Sequence, residues 1–183
     1  MKPKLIFIIF FVTFWCNTVH GDVARENKIK AAYLFHIINF VQWPAASRNS
    51  GSNTRIQVCL MGNTAFMSSL IPLSRQSVSK FHLDIKPIYS PPTGNSCDII
   101  YFANTLPEET KKSLAAVCHR PILTLGDTPG FAQFGGIIGF VNHHDNVRLE
   151  INLSSAKHAG FSISAKLLEV ALNIINDQKY PCE

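Results

Sequence analysis

None of the short signatures that usually announce an enzyme occurs in this 183-residue sequence. It has no Gly-x-Ser-x-Gly elbow, no His-Glu-x-x-His zinc motif, no phosphate loop and no dinucleotide fingerprint. The glycine-rich run Gly135-Gly136-Ile137-Ile138-Gly139 leads into a strand-like stretch rather than a helix. It therefore lacks the helix N-terminus that would hold a phosphate, and reads as a place where backbone is crowded. No Cys-x-x-Cys or Cys/His spacing suggests zinc or a redox-active dithiol. His143-His144 with Asp145 sits in a polar turn, where adjacent ligands rarely share one ion without further donors. No catalytic residue, metal or cofactor is expected, and the chain is read as a non-enzyme.

Long runs of one charge are also missing. The 17 basic and 12 acidic residues are scattered, and no aromatic-basic interleaving marks a base-stacking platform, so nucleic acid is not an expected partner. No repeat or low-complexity stretch appears.

What the sequence does have begins at its N-terminus. Lys2 and Lys4 precede an apolar run over 5–16, and Val19-His20-Gly21 supplies small residues where a signal peptidase cuts. Residues 1–21 are expected to be a cleaved leader, followed by a single exported α/β domain over 22–183. The bulky Phe14-Trp15 before Cys16 argues against a lipidated cysteine, and the apolar run is shorter than the roughly 20 residues needed to cross a bilayer.

Export puts the remaining cysteines, Cys59, Cys97, Cys118 and Cys182, in an oxidising compartment. Four cysteines allow three pairings, and sequence alone does not choose among them. Cys59 and Cys97 lie in apolar runs expected to be neighbouring strands, which favours a bridge between them.

The periodicity predicts helices over 23–43, 64–73 and 107–119, strands over 55–61, 81–89, 97–102 and 122–125, and a brief helical turn over 131–134. Alternating strands and helices indicate a mainly parallel sheet covered by helices on both faces. Two strands over 137–142 and 147–153, joined by a polar turn, form a C-terminal antiparallel hairpin before a final helix over 164–177. Asp127 follows a strand end, where open α/β sheets bind ligands, and is a site candidate. Arg148, Glu150 and Asn152 alternate onto one face of their strand, where they could pair or meet a polar ligand.

The stretch Lys30 to Pro44 is apolar almost all round. Its polar residues His36, Asn39 and Gln42 recur every third position, while Tyr33, Phe35 and Ile38 belong to the broad apolar band. With no Lys or Arg from Ala31 to Pro44 it lacks the cationic face of a membrane-lying helix, so the band must be covered by the chain itself, a second copy or a partner. Tyr33, Phe35, Ile38, Trp43, Arg148, Glu150 and Asn152 are the residues expected to form or support a partner or ligand surface.

In order along the chain, Lys30-Ala31-Ala32-Tyr33-Leu34, Phe40-Val41-Gln42-Trp43-Pro44, Val58-Cys59-Leu60-Met61-Gly62, Cys97-Asp98-Ile99-Ile100-Tyr101-Phe102, Phe131-Ala132-Gln133-Phe134-Gly135-Gly136, Val147-Arg148-Leu149-Glu150-Ile151-Asn152 and Ser164-Ala165-Lys166-Leu167-Leu168 resemble YfiR-type periplasmic proteins. The resemblance runs from about residue 28 to 171. It implies a small periplasmic repressor of an inner-membrane diguanylate cyclase, YfiN, relieved by an outer-membrane lipoprotein, YfiB. It also implies homodimers, redox-responsive disulfides and, in some members, a small-molecule ligand. Cys59 and Cys97 match that family's disulfide pair. A second pair, found in some members within the stretch corresponding to 131–141, is absent.

Overall fold

Two apolar clusters, one on each side of a central sheet, organise the chain. The computed structural model describes residues 19–45, 55–75, 81–94 and 96–176. In chain order the elements are α1 (Val19–Ile37), β1 (Val41–Gln42), β2 (Arg55–Gly62), α2 (Met67–Ser74, entered through the 3-10 turn Thr64–Phe66), β3 (His82–Ile88), β4 (Ile99–Ala103), α3 (Pro107–Val117), β5 (Leu123–Gly126), β6 (Ile138–His143), β7 (Asn146–Asn152), α4 (Leu153–His158), β8 (Ser162–Ile163), α5 (Ala165–Glu169) and β9 (Ala171–Ile175). Residues 1–18 of the expected leader, and Cys182, lie outside the described residues.

Seven strands form one sheet in the order β3-β2-β4-β5-β6-β7-β9, parallel at every pairing except the β6/β7 hairpin. Period-two alternation divides each inner strand between the two cores. From β2, Ile56, Val58 and Leu60 enter one cluster, while Cys59 and Met61 enter the other. β4 does the same with Ile99 and Tyr101 against Ile100 and Phe102. Helices α1, α2 and α4 pack on the first face through Leu34, Leu70 and Ala156, and α3 on the second through Leu114 and Val117. This is the mainly parallel, doubly covered sheet expected from the sequence.

The broad apolar band of α1 is covered by the chain itself. Ala31, Leu34, Phe35, Ile37, Ile38 and Val41 are all in the first core, and His36, Asn39 and Gln42 are exposed. At roughly 1.5–3 kcal/mol for each large side chain buried, this helix is a main contributor to that core. It stops at Ile37, however, and not at Trp43. Asn39 and Phe40 close a tight last turn onto His36 and Ile37, after which Val41-Gln42 pairs antiparallel with Ser162-Ile163. Strand pairing by the β-branched Val41, just ahead of the extended geometry that Pro44 imposes, overrides helical periodicity there.

The C-terminal end differs in the same sense. The expected strand through Leu153 ends at Asn152, whose side chain accepts from Ser155 N–H at 2.8 Å and so caps α4. The helix expected over 164–177 ends at Glu169, and Ala171–Ile175 instead lies parallel to β7. A β-rich sequence beside an open strand edge takes the ladder in preference to the helix.

Of the glycine run, Gly136 is crowded as expected, whereas a Cβ on Gly139 would make only ordinary contacts, the nearest at 3.5 Å. A Cβ on Gly126 would lie 2.6 Å from the Phe131 ring, and one on Gly136 would meet the opposite edge of the same ring. Phe131 is 1 % exposed and packs on Phe102 at 5.4 Å between centroids. Gly136→Ala should therefore overpack this slot and lower stability by about 1–3 kcal/mol in urea unfolding. An unchanged midpoint would mean that the ring has somewhere else to go.

Candidate functional site

β2 and β4 are neighbours, but their onward connections part company. From β2 the chain runs through α2 on the first face, and from β4 through α3 on the second. The strand order therefore reverses at this pair, and in open parallel sheets such a reversal leaves a crevice beyond the strand ends where ligands bind. A crevice of about 310 Å³ is found there, walled by Asn63 after β2, Ala103 and Asn104 at the end of β4, Asp127 after β5, and Glu26 and Lys30 from α1. A larger groove of about 810 Å³ between α1 and α2 is lined mainly by Val23, Ala24, Ala65, Pro72, Leu73 and serines, with Lys28 as its one charged lining residue among those described.

The crevice floor is an ion network. Lys30 Nζ donates to Asp127 Oδ2 at 2.8 Å and pairs with Glu26 Oε1 at 2.5 Å. Its side chain is 9 % exposed, against 13 % for Asp127 and 35 % for Glu26. Tyr101 donates its hydroxyl to Asp127 Oδ2 at 3.2 Å, and Asn104 N–H donates to Oδ1 at 2.6 Å. Asp127 thus has three donors converging on it, as a nearly buried carboxylate needs. Backbone geometry holds the rim: Asn104 sits at φ 48°, and Gly62 at φ 93° lets Asn63 N–H reach Ala103 O at 2.8 Å.

Burial pushes the Lys30 ammonium pKa down, but the hydrogen bonds and charges of Asp127 and Glu26 outweigh it, and the net shift is upward from 10.5. Burial, then the nearby Asp127 charge, raises the Tyr101 hydroxyl well above 10.0. Both folded values exceed the unfolded ones, so both contributions are complete below the unfolded pKa and fade as pH climbs past 10. Urea midpoints should therefore hold between pH 7 and 9 and fall steeply by pH 11, and the Lys30→Met variant should show a shallower fall.

Of the residues singled out from the sequence, Asp127 is in this crevice and the others are not. Tyr33 and Trp43 are half-buried on the first face, where Tyr33 lies 6.3 Å from the Phe140 ring and Trp43 5.4 Å from that of Phe161. Arg148 and Glu150 are half-buried on the opposite face, since their neighbours Val147, Leu149 and Ile151 point into the first core. Glu150 accepts from Gln133 Nε2 at 2.9 Å. Phe35, Ile38 and Asn152 are a correction to the expected surface, because all three are buried. Phe35 and Ile38 are core, and the Asn152 amide is used twice, capping α4 and donating to Ala132 O at 2.9 Å. His144 and Asp145 carry the two positive φ values, 50° and 59°, that a two-residue hairpin turn requires, which accounts for that polar stretch locally.

Cys59 and Cys97 form a disulfide with Cα atoms 5.8 Å apart, and Cys118 is also disulfide-bonded. Lys30, Glu26, Tyr101 and Asn104 were not singled out as site residues by the sequence reading. The available signal was a lone lysine opening an apolar helix face and a tyrosine inside a wholly buried strand, whose hydroxyl needs a partner.

Against known families, the model described as YfiR/HmsC-like matches residues 27–172, most of the chain. The chain belongs to the YfiR/HmsC-like family. This is a family of periplasmic regulators rather than catalysts, and among the described residues no helix is long and apolar enough to cross a membrane. No curated protein sequence matches the chain. Among solved structures, a conserved domain protein from Vibrio cholerae O1 biovar El Tor N16961 is similar at 14% identity and a TM-score of 0.53, covering 81% of this chain. An ABC domain from Streptococcus pneumoniae, solved in complex with L-Trp, is similar at 9% identity and 0.54, covering 82%. The YfiR/HmsC-like chain spans 60% of each of those chains, and at such identities the likeness concerns the fold alone.

Proposed function

We propose that this YfiR/HmsC-like protein is a non-enzymatic periplasmic repressor that binds the periplasmic part of a YfiN-like inner-membrane diguanylate cyclase, lowering cyclic-di-GMP and biofilm formation. The observation that carries the reading is the family match over residues 27–172. Repression works by occupancy: a repressor with higher affinity for the inactive cyclase shifts the population toward it, and a YfiB-like outer-membrane lipoprotein that sequesters the repressor shifts it back. Arg148 and Glu150 on one face, and Tyr33 and Trp43 on the other, are the side chains assigned to partner contact and to a homodimer. The test is retention of the cyclase's purified periplasmic domain by the immobilised, exported chain. Binding that Arg148→Ala and Glu150→Ala weaken at unchanged Tm supports the reading, and no retention contradicts it.

A second reading, a small-ligand sensing module, is favoured by one observation, the crevice at the strand-order reversal. This moves the proposed ligand position from Arg148 and Glu150 to Asp127. The L-Trp bound by the Streptococcus pneumoniae neighbour is a property of that protein, and supports no more than the capacity of this fold to hold small molecules.

A further inference from the structure

We infer that the crevice beyond β2, β4 and β5 binds a small molecule bearing an ammonium group, with the Glu26 carboxylate as its anchor. The inference rests on the small-ligand reading and is independent of the cyclase partner.

Charge balance comes first. Two carboxylates, Glu26 and Asp127, share one ammonium, Lys30, which leaves one negative charge in the crevice. Asp127 cannot offer it, because Lys30, Tyr101 and the Asn104 N–H already occupy its oxygens. The surplus therefore resides on Glu26, the most exposed member of the trio, at the mouth. An anionic guest would meet that charge unfavourably, and an ammonium group would make a charge-assisted hydrogen bond to it.

Size and lining agree. About 310 Å³ is at the lower end of small-molecule sites and suits a guest of amino-acid or short-diamine size. Phe66 and Pro129 supply apolar wall, and the asparagines Asn27, Asn63 and Asn104 supply amides that both donate and accept. The rim is set in advance by the positive φ values at Gly62 and Asn104. A clamp that merely ties α1 to the sheet would need neither open volume nor an unbalanced carboxylate.

Titration calorimetry and thermal shift on the chain purified after export, with putrescine, L-alanine and succinate as probes, provide the test. At least one of the two ammonium probes should bind saturably and succinate should not. Glu26→Gln should weaken binding by about tenfold, the loss of one charge-assisted hydrogen bond. Asn104→Gly, which keeps the positive φ and removes the amide, should weaken it several-fold and decides the matter if the first variant fails to fold. Equal affinity in both variants, or no binding of either ammonium probe, overturns the inference. Succinate binding in their place would overturn it too, while leaving a small-ligand reading standing.

Discussion

Asp127→Ala is expected to lower the unfolding free energy by about 3–5 kcal/mol, because it strips a nearly buried ammonium of one of its two counter-charges. The loss should fall toward the lower end, since Glu26 still pairs with Lys30 and is partly solvated. Lys30→Met should cost less, because Asp127 keeps the Tyr101 hydroxyl and the Asn104 N–H, and the methionine retains the apolar stem. The Lys30→Met/Asp127→Ala double variant should be more stable than the sum of the two single losses predicts. Additive losses in urea unfolding would show that the two groups do not act as a pair.

Removing the Cys59–Cys97 bridge should cost a comparable amount. The bridge spans 38 residues and joins β2 to the chain just before β4. Chain entropy alone makes a loop of that length worth ~4 kcal/mol. Both cysteines are almost fully buried, so Cys59→Ala/Cys97→Ala is the cleaner pair, as serines would add hydroxyls in need of partners. Reductant is the poorer experiment, because it also opens the disulfide at Cys118. A double variant that unfolds at the parent's urea midpoint would contradict the account.

The parts of this fold that could be read from sequence are those where a local pattern and a tertiary demand agree. The apolar run of β4 has to be buried on both faces, and it is. Pro107 with Glu108 and Glu109 opens α3 as its dipole requires. The His36, Asn39 and Gln42 stripe is exposed, and Asp127 stands at the strand end where ligand sites form. The reading failed where a distant partner outweighed local preference. Val41-Gln42 left the helix to pair with Ser162-Ile163, and Ala171–Ile175 left a helical pattern to pair with β7. Asn152 looked like one more polar residue on a strand face, although the run of small polar residues after it was a helix-cap signal. The Lys30–Asp127 pair lies 97 positions apart, and no periodicity in either segment prints such a contact. For the same reason the sequence set Trp43 and Arg148 together as one surface, when the sheet holds them on opposite faces.

Repression of a cyclase is the central claim, and intracellular cyclic-di-GMP tests it most directly. Quantified in the parent strain, in a strain lacking this gene and in the complemented strain, the nucleotide should rise on deletion, together with biofilm, and return to the parent level on complementation. Unchanged cyclic-di-GMP and unchanged biofilm in the deletion strain would contradict the account.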